Sequence, residues 1–86
     1  MKYESLVRAI LNEIGGEHNI ASVTHCMTRL RFTLKDESKA NIENVKNIAG
    51  VVGCVNKGGQ FQIVIGTQVA DVYNELIQIA HIQTDG

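Results

Sequence analysis

Cys26 heads a stretch whose residue types and spacing suit covalent chemistry: Thr24-His25-Cys26-Met27-Thr28-Arg29-Leu30-Arg31-Phe32-Thr33-Leu34-Lys35. A threonine hydroxyl follows the thiol two residues on, and a guanidinium comes one further. A thiol beside fixed positive charge ionises more readily, and the thiolate is the nucleophile. Arginine, hydroxyl and free backbone amides together suit an anion with several oxygens, such as phosphate. His25, directly before the thiol, reads as a strand-end histidine that tunes it rather than as a general base or relay. Cys54 lies among Gly50, Val51, Val52 and Val55, which marks it as a core thiol.

Positioning such a group requires a rigid strand behind it. Leu30, Phe32 and Leu34 alternate with Arg29, Arg31, Thr33 and Lys35, the period of a half-buried strand. The spacing predicts a strand over Arg29–Lys35, preceded by a strand over Ile20–His25, with Cys26–Thr28 as the turn of a hairpin. Arg29 and Arg31 share a face. Arg29 borders the turn and is placed to touch a bound anion. Arg31 lies about 7 Å further along and is better placed to serve a docked partner.

The remaining elements follow from periodicity. Leu6, Val7, Ile10, Leu11 and Ile14 recur at helical spacing before Gly15-Gly16, giving a helix over Tyr3–Ile14. Ile42, Val45, Ile48 and Ala49 mark a short helix stopped by Gly50. Val51–Val55 reads as a third strand, Asn56-Lys57-Gly58-Gly59 as a turn and Phe61–Ile65 as a fourth strand. Gly58-Gly59 lacks the following helix and lysine-serine of a nucleotide loop. Thr67 reads as the N-cap of a last helix carrying Val69, Val72, Tyr73, Leu76, Ile77 and Ala80. The order is α-β-β-α-β-β-α. The simplest packing is α+β: three helices on one face of a four-stranded antiparallel sheet, the other face wet. Residues 1–80 form the domain, and 81–86 read as a tail or the start of a linker.

Composition narrows the function. A chain of 86 residues allows one domain and one modest core. With 44% apolar residues but only 5% aromatics and no Trp, that core must be mostly Ile, Val and Leu. Eight basic against nine acidic residues, net −1, argue against nucleic acid or an anionic membrane as the main partner. No apolar run approaches a membrane span and there is no signal-peptide core, so the chain as given reads as soluble and cytosolic. Two cysteines do not make a disulfide framework. His18, His25, Cys26 and Cys54 lack the close paired spacing of zinc ligands. The residues present require no metal, nucleotide or other cofactor.

Asn19-Ile20, Cys26-x-Thr28-Arg29-Leu30-Arg31-Phe32, Lys57-Gly58-Gly59-Gln60 and Ile65-Gly66-Thr67 together resemble the B domain of enzyme II (EIIB) of the bacterial sugar phosphotransferase system, of the glucose and β-glucoside type. The resemblance runs from the first helix to Ile79. It implies a split α/β sandwich, in agreement with the packing argued above. It implies that Cys26 accepts a phosphoryl group from a phosphohistidine of an EIIA domain and hands it to a sugar held in the membrane EIIC domain. Arg29 and Arg31 match the family's two functional arginines. Met27 and Thr28 occupy the loop whose amides can face the phosphate. His25 before the nucleophile and the extra Cys54 are departures from the pattern. Val55-Asn56-Lys57-Gly58-Gly59-Gln60-Phe61-Gln62 leans toward the β-glucoside branch, with sucrose and trehalose relatives close. The resemblance also implies a domain at the inner face of the membrane, cut from a longer polypeptide.

Two other classes remain open at this stage. An anion- or RNA-binding module would use the charged sheet face, but stacking aromatics are lacking there. A thiol redox module would want a second cysteine nearby, and Cys54 is not in a Cys-x-x-Cys arrangement.

Overall fold

In the computed structural model, residues 1–82 are described; 83–86, the end of the tail foreseen above, lie outside them. The first apolar stripe forms α1 (Glu4–Glu13), which buries Val7 and Ile10. The helix ends at Gly15, where φ is +97° and a Cβ would stand 2.9 Å from both Asn19 Nδ2 and Lys39 Cβ. Only glycine fits that place without strain. A 3₁₀ turn, Glu17–Asn19, then leads into β1 (Ile20–His25). Asn19 is the local tie. Its amide donates to the carbonyls of Ile14 (2.7 Å) and Asp36 (2.9 Å), and its Oδ1 accepts the Asp36 amide (2.9 Å). One buried side chain thereby joins the end of α1, the start of β1 and Asp36, two residues beyond β2 (Arg29–Leu34).

Four strands pair antiparallel in the order β1-β2-β4-β3, with β3 at Gly53–Lys57 and β4 at Gln60–Val64. Two hairpins thus lie side by side, joined through β2 and β4, where Leu30 faces Ile63 and Phe32 faces Phe61. Both ends of β3 differ from the sequence expectation. Val51 turns back on Ile48 (3.0 Å), and Val52 is 76% exposed, so the strand begins at Gly53 rather than Val51. Asn56 and Lys57 pair with Phe61 and Gln60 and belong to the ladder. The turn is Gly58-Gly59 alone, with φ +60° and +80°. Two positive φ values match the twist of a two-residue hairpin, and glycine supplies them.

Three α-helices cover one sheet face, in the order foreseen. The short helix α2 (Ile42–Lys46) is capped by Asn41, whose side chain accepts the Asn44 amide, and it buries Val45. Ile48 and Ala49 lie beyond it in a turn. The last helix, α3 (Val69–Ile79), buries Val69, Val72 and Leu76. Its N-cap is Gln68, without a side-chain bond, so Thr67 is not the cap. The Val69 amide finds the Gly66 carbonyl (3.1 Å) instead, which leaves a hydroxyl cap little to satisfy. At the other end, His81 takes φ 54° and the Ile82 amide reaches back to Ile77 O (3.1 Å). That is a Schellman closure. Ile82 packs on the core, so the folded body runs two residues past 80.

Between helices and sheet lie Leu30, Phe32, Leu34, Phe61, Ile63 and Cys54. Cys54 is 3% exposed, and burial pushes its thiol up to about 11. It remains a neutral, inert side chain near pH 7. Cys54→Ser places an unpartnered hydroxyl there and is expected to cost about 1–3 kcal/mol in urea unfolding. The reactivity of Cys26 should not change. A folded Cys54→Ser domain with an unreactive Cys26 would contradict this assignment.

Candidate active site at the Cys26 turn

Cys26 sits between β1 and β2 at the end of their ladder. His25 pairs with Leu30, and the Cys26 amide donates to Arg29 O at 3.0 Å. The turn is fixed from below by the exit of β4. Thr28 O accepts the amides of Ile65 (2.8 Å) and Gly66 (3.0 Å). With its carbonyl held there, the Thr28 amide is free to face the sulfur.

The sulfur is half-exposed and lies in a field of donors. The Thr28 amide lowers its pKa most, followed by the Arg31 side chain and then the Arg29 amide. Desolvation opposes them, and the thiol settles at about 6. At pH 7 roughly nine-tenths of it is thiolate. Alkylation of Cys26 by iodoacetamide is therefore expected to reach half its limiting rate near pH 6. An ordinary thiol has its midpoint near about pH 8.5, and such a midpoint here would contradict the geometry.

Not every residue singled out in the sequence takes the expected place. Thr28 supplies an amide to the sulfur, and Met27 keeps its place in the turn with its side chain 88% exposed. The second amide is that of Arg29. The two arginines differ in the opposite sense to the one suggested by strand spacing. The Arg31 side chain, further along β2, is the one that lowers the thiol, while its Nη1 donates to Gln60 Oε1 at 2.7 Å. Arg29 turns its own guanidinium to Gln62 Oε1, at 3.1 Å.

Residues 8–41 match the family described as phosphotransferase system, EIIB. A crystal structure of one domain of the PTS system IIabc component from Clostridium difficile superimposes with a TM-score of 0.84 at 34% identity. The match covers 96% of this chain and 86% of that one. The chain belongs to the EIIB family of the phosphotransferase system.

This EIIB domain is 51% identical over 83 residues to the PTS system beta-glucoside-specific EIIBCA component of Halalkalibacterium halodurans, covering 96% of the domain and 13% of that relative. It is 45% identical over 83 residues to the PTS system sucrose-specific EIIBC component of Klebsiella pneumoniae, covering 95% of the domain and 18% of the relative. The chain thus spans less than a fifth of the length of these curated relatives. Among its described residues no helix is long and apolar enough to cross a membrane.

Sequence reasoning missed two EIIB side chains at the site, Gln60 and Gln62. They alternate along β4 on the face shared with Arg29 and Arg31, since Arg31 pairs with Gln62 across the ladder. Arg31 Nη1 donates to Gln60 Oε1 at 2.7 Å, and Gln62 Nε2 donates to the same oxygen at 3.0 Å. Arg29 reaches Gln62, so the four side chains form one chain of hydrogen bonds. A neutral amide oxygen orients a guanidinium without discharging it, and both positive charges stay available to an anion. Their period-two spacing opposite the arginine strand was the available signal.

Proposed function

We propose that this domain is a phosphocysteine carrier. The Cys26 thiolate attacks the phosphorus of a phosphohistidine on an EIIA domain. The S–P bond forms, the N–P bond breaks, and the freed imidazole nitrogen takes up a proton. A hydroxyl of a sugar held by the membrane EIIC domain then attacks the same phosphorus. The O–P bond forms, thiolate leaves, and the hydroxyl proton passes to solvent or a base on the acceptor. The carrying observation is a thiol lowered to about 6 by the Thr28 amide, the Arg31 side chain and the Arg29 amide. Phosphoryl transfer needs alignment and charge stabilisation above all, and those three groups supply both. A low thiol pKa also makes sulfur a good leaving group in the second step.

Relatives named for beta-glucosides support a β-glucoside as the acceptor. Their EIIBCA and EIIBC make-up supports a place at the inner face of the membrane, within a longer polypeptide. Residues 1–82 then form the EIIB unit, and the following stretch leads toward the next domain. The test combines this domain, phosphorylated EIIA and vesicles carrying a β-glucoside EIIC domain without its own EIIB. β-Glucoside phosphate should form only when the domain is present. A phosphorylated domain that never yields sugar phosphate with a competent EIIC would overturn the acceptor half of the reading.

A further inference from the structure

His25 stands beside the nucleophile, and the transfer steps give it no part. Its Nδ1 lies 3.0 Å from Cys26 O. A carbonyl oxygen only accepts, so Nδ1 carries the hydrogen and the tautomer is fixed. The ring is held from the far side by Tyr73 of α3, with centroids 4.7 Å apart and planes at 49°. Tyr73 in turn sends its hydroxyl toward Val23 O, at 3.5 Å. The imidazole is therefore clamped between a helix and the turn.

The carbonyl it holds lacks a bond from across the turn. Directly opposed residues of a hydrogen-bonded antiparallel pair exchange two backbone bonds. Cys26 and Arg29 form only one, from the Cys26 amide to Arg29 O. The Cys26 carbonyl accepts from the imidazole and not from the Arg29 amide, which helps to lower the thiol. We propose that His25 is a positioning residue that holds the turn open. Its Nδ1–H draws the Cys26 carbonyl toward the ring and off the line of the Arg29 amide, which is left for the sulfur and, in the phosphorylated domain, for a phosphoryl oxygen. That last role rests on the carrier reading above. The charged group acting on the sulfur from β2 is Arg31, Arg29 acting there through its amide; from α3, Tyr73 packs on the imidazole.

His25→Phe keeps a ring against Tyr73 and deletes the donor. His25→Asn deletes the ring and keeps an N–H near the Nδ1 position. In His25→Phe the alkylation midpoint of Cys26 should rise by about one pH unit, a roughly tenfold loss of thiolate at low pH. Single-turnover phosphorylation by EIIA should slow by about the same factor. His25→Asn should restore both toward wild type. Nitrogen NMR of the wild-type domain, which needs no variant, should show the Nδ1–H tautomer. An Nε2–H tautomer, an unmoved midpoint in His25→Phe, or a folded His25→Asn as impaired as His25→Phe would overturn the proposal. Wild-type protein that shows the thiol behaviour but takes no phosphate would refute the carrier reading alone.

Discussion

Cys26→Ser is expected to leave a folded domain that no longer carries phosphate. The thiol is held at about 6 by the donors around it. A serine hydroxyl stays protonated at neutral pH in the same surroundings and needs a general base to attack. His25 Nδ1 is committed to the Cys26 carbonyl. Phosphorylation by EIIA should fall by at least on the order of 10⁴-fold, the scale of losing an essential nucleophile. Stability should move by no more than about 0.5 kcal/mol, because the side chain is not part of the core. Normal sugar phosphorylation by the serine variant would remove Cys26 from the pathway.

The second large effect belongs to Arg31. Its guanidinium lowers the thiol and is held by Gln60 at 2.7 Å. Lysine keeps the charge but loses the planar pair of donors. Arg31→Lys is expected to slow phosphorylation of Cys26 by on the order of 10²-fold, the scale of one oriented donor. Arg31→Gln removes the charge as well and should slow it further. The sign on the thiol is fixed: a cation favours the anionic form, so losing it raises the pKa and lowers the thiolate fraction at pH 7. Arg29→Lys keeps the backbone amide that faces the sulfur and should leave the alkylation midpoint in place. Alkylation profiles and single-turnover phosphorylation of the two lysine variants separate these cases. A raised midpoint in Arg29→Lys with none in Arg31→Lys would reverse the assignment.

That contrast marks where sequence reading gave out. Alternation along Arg29–Leu34 fixed the strand and its two faces, because one face is buried and the other wet. Spacing along one strand says nothing of where a long side chain goes once a neighbouring strand offers it a partner. Gln60 and Gln62 do so here; both lie in stretches that carry the resemblance, but as neutral side chains they gave no sign of a role at the site. Strand order was equally hidden, since alternation reports faces and not neighbours. The third strand was misplaced by two residues for a related reason. Val51 and Val52 are β-branched but not in the sheet, while Asn56 and Lys57 have turn-like chemistry but pair as strand. The turn needed only two positive φ values, and Gly58-Gly59 met that need. His25 was seen beside the thiol, but its bond to the Cys26 carbonyl depends on α3 supplying Tyr73 from the far end of the chain.

The central claim is that the phosphoryl group rests on the sulfur of Cys26. It is tested most directly by incubating the domain with phosphoenolpyruvate, the general phosphotransferase proteins and EIIA, then locating the modification by tandem mass spectrometry at neutral pH. One phosphoryl group on the peptide containing Cys26, absent without phosphoenolpyruvate and discharged by EIIC with a β-glucoside, is the predicted result. Phosphate on His25 or another side chain, or an unmodified domain beside fully phosphorylated EIIA, would contradict it.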